Sequence, residues 1–538
     1  MGMYLSGTKA YTLYKENVGD PYFVDKSKML SEVMPLIGSS NKYICITRPR
    51  RFGKTVMANM IASFFGKGKD SSDIFDELEI AVSDLYRQNL NQHDVIHISF
   101  NEIPRRCVSY DRYIERIENT LIEDLQAAYP ACNIKDCDAV WDALTKIFSA
   151  TGDRFIFVLD EWDFIFHRNF VTVKDKEDYV SFLSNMLKDK AYVSLAYMTG
   201  ILPISKYSSG SELNMFLEYS MAGKIRYSSY FGFFNTEVDE LYQRYLGNVK
   251  DVNITREGLM NWYNGYHTAS GERLYNPRSV VAALKDNQLS NYWTSAGPYD
   301  EIFYYIRNNV ADVRDDLAMM IAGEAVSAKV EEYAATSMNL NTKDEIFSAM
   351  VVYGFLSYED GKVSIPNKEL MDKFSAMLRK ESKLGYVNRL AKESTRMLAA
   401  TLAGDTDTMM DILSYAHNSE TPLLKYNNET ELSAIVNLVY LAARDKYDVQ
   451  REDKSGIGYV DFIFYPKTKS DDCIVLELKI DRTPEEAIQQ IKDRKYIMRF
   501  KGKLGETPTY TGRILIVGIG YDRESKLHEC KIEVLDNL

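Results

Sequence analysis

An apolar strand that leads directly through a basic turn into a helix constrains this chain most. The segment is residues 43–55, YICITRPRRFGKT. A turn before a helix presents backbone amides and the positive end of the helix dipole, which together bind anions. Within it, Gly53 allows a close backbone approach, Lys54 can reach the β- and γ-phosphates of a nucleotide, and Thr55 can offer its hydroxyl to Mg²⁺. The segment predicts a phosphate-binding loop in an α/β fold.

The loop departs at one position from the usual pattern G-x-x-x-x-G-K-[ST]. Arg48 stands where that pattern has its first glycine, and Arg50 and Arg51 make the turn strongly cationic. A cationic turn still suits phosphate, although a basic strand-to-helix turn without a ligand is the alternative. The predicted nucleotide-binding residues of the loop are Arg51, Phe52, Gly53, Lys54, Thr55 and Val56.

A second apolar strand, within residues 154–162 (RFIFVLDEW), ends in two acids. A buried parallel strand delivers such carboxylates at its C-terminal edge, where open α/β sheets bind ligands. We expect Asp160 to hold Mg²⁺ and Glu161 to orient or polarise the attacking water. A helix-capping acid after a core strand is the alternative, but the two patterns in this order favour a nucleotide site.

Together with residues 23–26 (FVDK), these segments resemble bacterial and archaeal AAA-ATPase-like proteins. Residues 196–201 (AYMTGI) resemble a further diagnostic strand of that family, with Thr199 placed as a polar sensor residue. Three segments resemble the lid that follows the core: 231–233 (FGF), 262–266 (WYNGY) and 275–277 (YNP). Residues 365–369 (IPNKE) also recur in the family, without a chemical role that we can assign. The resemblance implies ATP binding and hydrolysis.

Two neighbouring strands near the C-terminus carry a separate cluster of charged residues. The strands are predicted within residues 458–465 (GYVDFIFY) and 473–479 (CIVLELK). Because strand side chains alternate, Glu477 and Lys479 share a face, and Asp461 can meet them from the adjacent strand. Carboxylates that bind Mg²⁺, together with a lysine, suit metal-assisted hydrolysis of a phosphodiester. A surface ion-pair cluster is the alternative, although charges inside an apolar run need a partner or a metal.

This cluster resembles the core of the PD-(D/E)xK nuclease superfamily. The resemblance implies that Glu429, which opens an apolar helix, supplies a further metal-side carboxylate, with Glu431 as its rival. It also implies that Gln490, on a helix expected over residues 484–498, supports the site. Basic residues on and after that helix could contact nucleic-acid phosphates or be ordinary solvated side chains: Lys492, Arg494, Lys495, Arg499, Lys501 and Lys503.

Composition limits the other possibilities. The apolar runs are shorter than a membrane span and no secretory signal is visible, so we expect a cytoplasmic protein without a membrane partner. Cys132 and Cys137 are the only close cysteine pair and lack a second pair, which argues against zinc. Gly518 and Gly520 form only half of a glycine-rich motif. A net charge of −12 argues against indiscriminate coating of nucleic acid but permits local DNA contact.

We therefore predict an α/β multidomain protein of four parts. They are a P-loop NTPase core of the AAA-ATPase-like type with a parallel sheet (1–210), a helical lid (211–290), a helical, winged-helix-like connector (291–415) and a restriction-endonuclease-like α/β domain (416–538). In the connector, a helix followed by an Asp-Gly hairpin within residues 346–364 could bind DNA or a subunit, or only pack.

The expected cofactors are ATP and Mg²⁺, and the expected partner is DNA, with a homo-oligomer left open. The function expected from these parts is an ATPase whose turnover gates a metal-dependent DNA endonuclease. The alternative is a nucleotide-dependent switch or scaffold with a catalytically inactive nuclease fold. Slow or absent turnover would favour that alternative.

Overall fold

The computed structural model divides the chain into two compact units. The first comprises residues 1–297, 328–340 and 344–369, and the second comprises 298–327, 341–343 and 370–538. The structure describes residues 2–204, 212–221, 223–293, 310–330, 340, 342–418, 429–450, 460–494, 500 and 510–535. At positions 167, 310–312, 386, 417–418 and 429–431 it describes only the backbone. The four boundaries expected from the sequence stay predictions.

A five-stranded parallel sheet forms the centre of the first unit. Its strands are β1 (Tyr43–Thr47), β2 (Asp94–Ser99), β3 (Phe155–Asp160), β4 (Val193–Gly200) and β5 (Leu217–Tyr219). They lie in the order β2-β3-β4-β1-β5, and every neighbouring pair is parallel. Strands β1, β3 and β4 are buried along their whole length, which explains their uninterrupted apolar sequences.

Helices cover this sheet on both faces. They are α1 (Lys9–Val18), α2 (Met29–Val33), α3 (Lys54–Phe65), α4 (Ser72–Phe75), α5 (Tyr86–Asn89), α6 (Tyr110–Ala128), α7 (Val140–Thr151) and α8 (Val173–Leu187). Short 3₁₀ turns lie at Met34–Leu36, Glu79–Val82, Pro130–Cys132, Phe164–His167 and Ser228–Tyr230. Along β3, Phe155, Phe157 and Leu159 enter one apolar cluster, whereas Ile156 and Val158 enter the other. This alternation places a separate core on each face.

A smaller helical subdomain follows in the first unit. It contains α9 (Asn235–Asn248), α10 (Arg256–Tyr263), α11 (Pro277–Asp286) and the short strands β6 (Tyr266–His267) and β7 (Arg273–Leu274). The three helices share one core cluster. They fall in the region predicted to be a lid, and that role stays a prediction.

The predicted Asp-Gly hairpin is confirmed and also belongs to the first unit. Helix α13 (Lys343–Tyr353) precedes the hairpin strands β9 (Ser357–Glu359) and β10 (Lys362–Ser364). The helix before it in the chain, α12 (Val310–Ile321), belongs to the second unit. The turn residues Asp360 and Gly361 have φ of 47° and 78°, which a two-residue hairpin turn of this type requires. The Ser357 hydroxyl accepts a hydrogen bond from the His267 amide at 2.9 Å, so the hairpin packs on the helical subdomain.

The second unit carries a mixed five-stranded sheet. Its strands are β11 (Tyr447–Gln450), β12 (Phe462–Pro466), β13 (Cys473–Ile480), β14 (Ile514–Asp522) and β15 (Leu527–Leu535), in that spatial order. Only β13 and β14 pair in parallel, and the other neighbours are antiparallel. The two strands expected around Asp461 and Glu477 are therefore adjacent and antiparallel, as predicted.

The remaining elements of the second unit are mainly helices. They are α12, β8 (Val326–Ser327), α14 (Lys368–Lys380), α15 (Tyr386–Ala403), α16 (Thr406–Asn418), α17 (Glu429–Val439) and α18 (Pro484–Asp493), with 3₁₀ turns at Ser382–Leu384 and Leu441–Asp445. The first two residues of α14 belong to the first unit. Helix α18 packs across β13, β14 and β15 and ends at Asp493, before the end expected at residue 498. No helix in the described parts of the chain is both long and apolar enough to cross a bilayer.

Candidate functional site

The predicted phosphate-binding loop lies between β1 and α3, where the sequence places it. Helix α3 begins at Lys54, and the preceding Gly53 occupies the left-handed region with φ of 89°. Arg51 also has a positive φ, 70°, which folds the turn tightly before the helix. The backbone amides at the start of α3 are thereby presented at the carboxyl edge of the parallel sheet, the edge at which such sheets bind ligands.

Arg48, the residue that departs from the usual loop pattern, has a structural role. Its side chain is only 1% exposed, and its guanidinium donates to the carbonyl oxygens of Thr47 and Tyr219, both at 2.8 Å. It also lies over the ring of Phe231 at 5.0 Å. Arg48 therefore ties the end of β1 to β5, which explains why an arginine can occupy this position beside a functional loop.

A cavity of about 820 Å³ opens over the loop, within the size range of ligand sites. Every loop residue expected to bind nucleotide lines it, from Arg51 to Val56. Its other walls come from residues 20–24, from Glu161 and Asp163 just after β3, and from Pro277 and Arg278 at the start of α11. The cavity thus joins the predicted phosphate loop to the predicted lid.

The Lys54 side chain is buried beneath the loop. Its ammonium donates to the carbonyl oxygens of Arg48 at 2.8 Å and Pro49 at 2.9 Å. Burial lowers the pKa of Lys54 to about 8, against the opposing effect of Asp163, Asp160 and Glu161. A cation that is held among acids at the bottom of a cavity is well placed to meet phosphate oxygens.

Asp160, at the end of β3, has one satisfied and one unsatisfied oxygen. The Thr199 hydroxyl donates to Oδ1, whereas Oδ2 is buried and has no hydrogen-bond partner among the described residues. A buried carboxylate oxygen of this kind fits a divalent cation, whose remaining ligands would include water and the Thr55 hydroxyl. Thr199 itself is fully buried and contacts the acid rather than lining the cavity.

Glu161 follows in a left-handed conformation, with φ of 54°, and its side chain lines the cavity. Burial and then the charge of Asp160 raise its pKa above the ordinary value, while Lys54 and a hydrogen bond to Asn101 oppose the shift. Sequence reasoning missed Asn101, which follows β2 next to β3 in the sheet. A lone polar residue after a strand carries no pattern that would have singled it out.

Two further residues at this site were also missed. Asp163 is 3% exposed and accepts hydrogen bonds from the Ile201 amide at 3.0 Å and the Leu202 amide at 2.9 Å. It therefore fixes the chain that leaves β4 beside the cavity. Arg278, the second residue of α11, adds a guanidinium to the cavity wall that α11 forms. Its position after the segment YNP was the only available signal.

In the second unit, Glu477 is the centre of the predicted charged cluster. Its side chain is nearly fully buried on β13, and its Oε1 accepts from the Lys479 ammonium at 2.9 Å and from the Gln490 amide. Its Oε2 is buried without a hydrogen-bond partner in the part of the chain that the structure describes. Burial and then the charge of Asp461 raise the pKa of Glu477 to about 7.

Asp461 meets this cluster from the neighbouring strand, as strand alternation predicts. Because Phe462 pairs with Leu476, the preceding Asp461 comes opposite Glu477. Its carboxylate accepts a hydrogen bond from the Leu478 amide at 2.7 Å. Cys473 and Val475, on the same face of β13 as Glu477, pack with residues of α18 in one apolar cluster.

Of the other residues expected at this site, the structure places one beside Glu477 and does not describe the side chains of two. Gln490 on α18 contacts Glu477, as the resemblance implied. Glu429 starts α17, but its side chain and that of Glu431 lie outside what the structure describes. Among the described residues, no group of three or more His, Cys, Asp or Glu side chains is arranged to hold a metal ion. Two carboxylates are nevertheless enough for Mg²⁺, which keeps several waters.

The basic strip is described only in part. Lys492 pairs with Glu533 at 2.5 Å, and α18 ends before Arg494. The other basic residues of the strip, Lys495, Arg499, Lys501 and Lys503, lie outside the described residues. DNA contact by this strip stays a prediction.

Gly518 and Gly520 serve packing within β14. A Cβ at Gly518 would lie 2.3 Å from the Pro484 carbonyl oxygen, and one at Gly520 would lie 2.8 Å from that of Arg482. Both glycines therefore allow the start of α18 to approach the sheet closely. This close approach also brings Gln490, one and a half turns further along α18, to Glu477.

Two family models and one relative match parts of this chain or nearly all of it. A family model described as predicted AAA-ATPase matches residues 8–209, and one described as PD-(D/E)XK nuclease superfamily matches residues 428–520. An uncharacterised protein in the vnfD 5′ region of Azotobacter chroococcum mcd 1 is 25% identical over 529 residues, which are 94% of each chain.

Two solved structures are more distantly similar. The Walker-type ATPase of Pyrococcus abyssi is 12% identical with a TM-score of 0.38, over 65% of this chain and 94% of that one. The ORC2 protein of Aeropyrum pernix, in ADPNP and ADP complexes, is 10% identical with a TM-score of 0.31, over 68% of this chain and 92% of that one. From the family matches, this chain combines an N-terminal AAA-ATPase-like domain with a C-terminal domain of the PD-(D/E)XK nuclease superfamily.

Proposed function

We propose that this protein binds and hydrolyses ATP in the first unit, and that this turnover controls a Mg²⁺-dependent DNA nuclease in the second. The observation that carries the proposal is the set of groups around the cavity over the phosphate loop. Lys54 is buried and lines this cavity, and Asp160, directly before the lining residue Glu161, has a buried oxygen without a hydrogen-bond partner among the described residues.

The residues of the first site divide the work of phosphoryl transfer. The amides at the start of α3 and the Lys54 ammonium bind the β- and γ-phosphates, while Thr55 and Asp160 hold Mg²⁺. Glu161 orients the attacking water and accepts its proton, which its raised pKa favours. Asn101 fixes the Glu161 carboxylate, and Thr199 fixes that of Asp160.

The residues of the second site would likewise take separate roles in the cleavage of a phosphodiester. Asp461 and Glu477 would hold Mg²⁺, which when bound neutralises phosphate charge and lowers the pKa of a bound water. Gln490 and Lys479 hold the Glu477 carboxylate through Oε1, so that Oε2 is turned away from them. The Lys479 ammonium also places a positive charge where the phosphate gains negative charge.

A nucleotide-dependent switch without DNA cleavage is the second candidate. One observation favours it: the described residues of the second unit offer only two carboxylates, Asp461 and Glu477, at the proposed metal site. In this function ATP binding alone controls association with a partner, and the nuclease fold merely binds.

Purified protein and single variants should be incubated with linear, circular and single-stranded DNA, with and without Mg²⁺ and ATP. Asp461→Ala tests the nuclease, and Asp471→Ala, a change in the exposed loop between β12 and β13, is its control. Lys54→Ala tests the nucleotide site, with Lys67→Ala, at an exposed ion pair, as its control.

The expected result is Mg²⁺-dependent cleavage that Asp461→Ala abolishes and that ATP alters only when Lys54 is present. Cleavage that is unaffected by ATP and by Lys54→Ala would refute the coupling. ATP binding without cleavage of any DNA would favour the switch. Glu161→Gln then separates the two, because it traps bound ATP in a hydrolase and changes little in a switch that acts by binding.

A further inference from the structure

Glu369, the last residue of the segment IPNKE, is a buried carboxylate that accepts from several donors. Its side chain is 1% exposed. It accepts hydrogen bonds from the backbone amides of Tyr292 and Trp293, both at 2.5 Å, and from the Ser279 hydroxyl at 2.9 Å. The Asn291 side chain also donates to the Glu369 carbonyl oxygen at 2.8 Å. The carboxylate thus holds two separate segments of the first unit.

One of these segments, residues 291–293, is hydrogen-bonded to the predicted phosphate-binding loop. The Arg51 guanidinium donates to the Tyr292 carbonyl oxygen, and the Trp293 indole donates to the Arg50 carbonyl oxygen at 3.4 Å. The charge of Arg51 also acts on the Glu369 carboxylate and opposes the rise in its pKa that burial causes. A change at Glu369 can therefore reach the Arg50–Arg51 turn through two hydrogen bonds in series.

The other segment is the start of α11, the helix on the lid side of the cavity. Asn276 caps this helix by accepting from the Ser279 amide at 3.1 Å, and the Ser279 hydroxyl points to Glu369. Pro277 and Arg278, immediately before Ser279, line the nucleotide cavity. Glu369 therefore holds two segments that line the same cavity, although it does not itself line that cavity.

We propose that Glu369 is a positioning residue of the nucleotide site: its carboxylate sets the position of α11 relative to the Arg50–Arg51 turn. This positioning does not depend on what the cavity binds, whereas an effect of Glu369 on ATP binding rests on the proposed function. Removal of the carboxylate would take this acceptor away from the Tyr292 and Trp293 amides and the Ser279 hydroxyl. Both segments would then loosen so that water can reach these donors. The recurring segment IPNKE thereby acquires a physical role.

Hydrogen exchange of the full-length protein without nucleotide tests the positioning directly. The variants are Glu369→Ala, Glu369→Gln and Ser279→Ala. The matched control is Asp124→Ala, which removes another carboxylate that accepts from backbone amides, those of residues 3–5. ATP binding is measured in parallel with a fluorescent ATP analogue, and kcat and KM for ATP are measured separately.

Glu369→Ala should speed exchange locally, in residues 48–57 and in α11, and should weaken ATP binding by about 10- to 100-fold. It should raise KM more than it lowers kcat, because Glu369 touches no reacting atom. Glu369→Gln should restore protection at residues 48–57, since its amide oxygen still accepts from Tyr292 and Trp293. Ser279→Ala should loosen α11 alone, and Asp124→Ala should change neither segment.

Equal exchange in both segments for Glu369→Ala and the wild type would overturn the proposal, as would acceleration spread evenly over the first unit. If Glu369→Ala does not fold, Ser279→Ala decides, because unchanged exchange in α11 then overturns the proposal. If the local exchange response occurs but the wild type binds no ATP analogue, the positioning stands and the proposed ATPase function fails.

Discussion

Replacement of Glu477 by Gln should stabilise the second unit at alkaline pH. Burial and the charge of Asp461 raise the pKa of Glu477 from an ordinary value of 4.5 to about 7. Each unit of pKa is worth about 1.4 kcal/mol, so the difference of about 2.5 corresponds to about 3 kcal/mol. The side chain is 3% exposed, so solvent screening does not reduce this figure appreciably.

The sign follows from the protons bound in each state. Between about pH 4.5 and 7 the folded protein keeps a proton on Glu477 that the unfolded chain has released. The stability that this proton confers is complete below pH 4.5, falls as the pH rises through this window and is lost above about 7. Gln does not titrate, so the Glu477→Gln variant should keep level stability and exceed the wild type by about 3 kcal/mol at pH 8.

Hydrogen exchange of β13 and β14 in the full-length chain measures this difference. After correction for the pH dependence of intrinsic exchange, the wild type should lose about two orders of magnitude of protection between pH 5 and 8, and the variant should not. Glu485→Gln, at an exposed carboxylate of α18 whose pKa is lowered, is the control and should behave as the wild type. Equal pH dependence in the wild type and Glu477→Gln would refute the reasoning.

Addition of Mg²⁺ provides an independent check on the same residue. A cation that binds the ionised Glu477 carboxylate should restore protection to the wild type at pH 8, because ligands stabilise the state that binds them. It should have little effect on Glu477→Gln. Restoration of both proteins to the same degree would place the cation elsewhere.

Three further predictions concern single residues. Burial lowers the pKa of Lys54 to about 8, so affinity for a fluorescent ATP analogue should fall as the pH rises past 8, and Lys54→Arg should remove that dependence. Thr199→Val removes the donor to Asp160 and should reduce Mg²⁺-dependent ATP hydrolysis by about tenfold, while binding measured in EDTA stays unchanged. Gly518→Ala forces a Cβ to within 2.3 Å of the Pro484 carbonyl oxygen and should destabilise the second unit by about 1–3 kcal/mol, measured as lost exchange protection in β14.

Local patterns in the sequence were sufficient for much of the fold and for parts of both sites. The apolar runs that end at Thr47 and Asp160 are strands because a parallel sheet buries both faces of its strands. Strand alternation alone was enough to bring Glu477, Lys479 and Asp461 together. In each case the decisive residues are separated by a fixed repeat or lie at the end of an unmistakable strand.

Contacts between distant segments could not be predicted in this way. The role of Arg48 depends on β5, a three-residue strand that brings the Tyr219 carbonyl oxygen to it. Glu369 is separated by 90 residues from Ser279, and neither has a neighbour in sequence that indicates the other. Such pairs are set by how helices and loops pack, which neither periodicity nor propensity encodes.

The polar networks at the second site bear on whether its nuclease fold is inactive. A carboxylate that only stabilises a fold is expected to have both oxygens hydrogen-bonded, because a buried oxygen without a partner costs about 1–3 kcal/mol or more. In Glu477, Lys479 and Gln490 instead both donate to Oε1. Its Oε2 is buried without a hydrogen-bond partner among the described residues. Asp160 in the first unit has the same division, with Thr199 on one oxygen. The inactive-fold alternative must therefore account for two buried carboxylate oxygens, Oε2 of Glu477 and Oδ2 of Asp160, that lack a hydrogen-bond partner among the described residues.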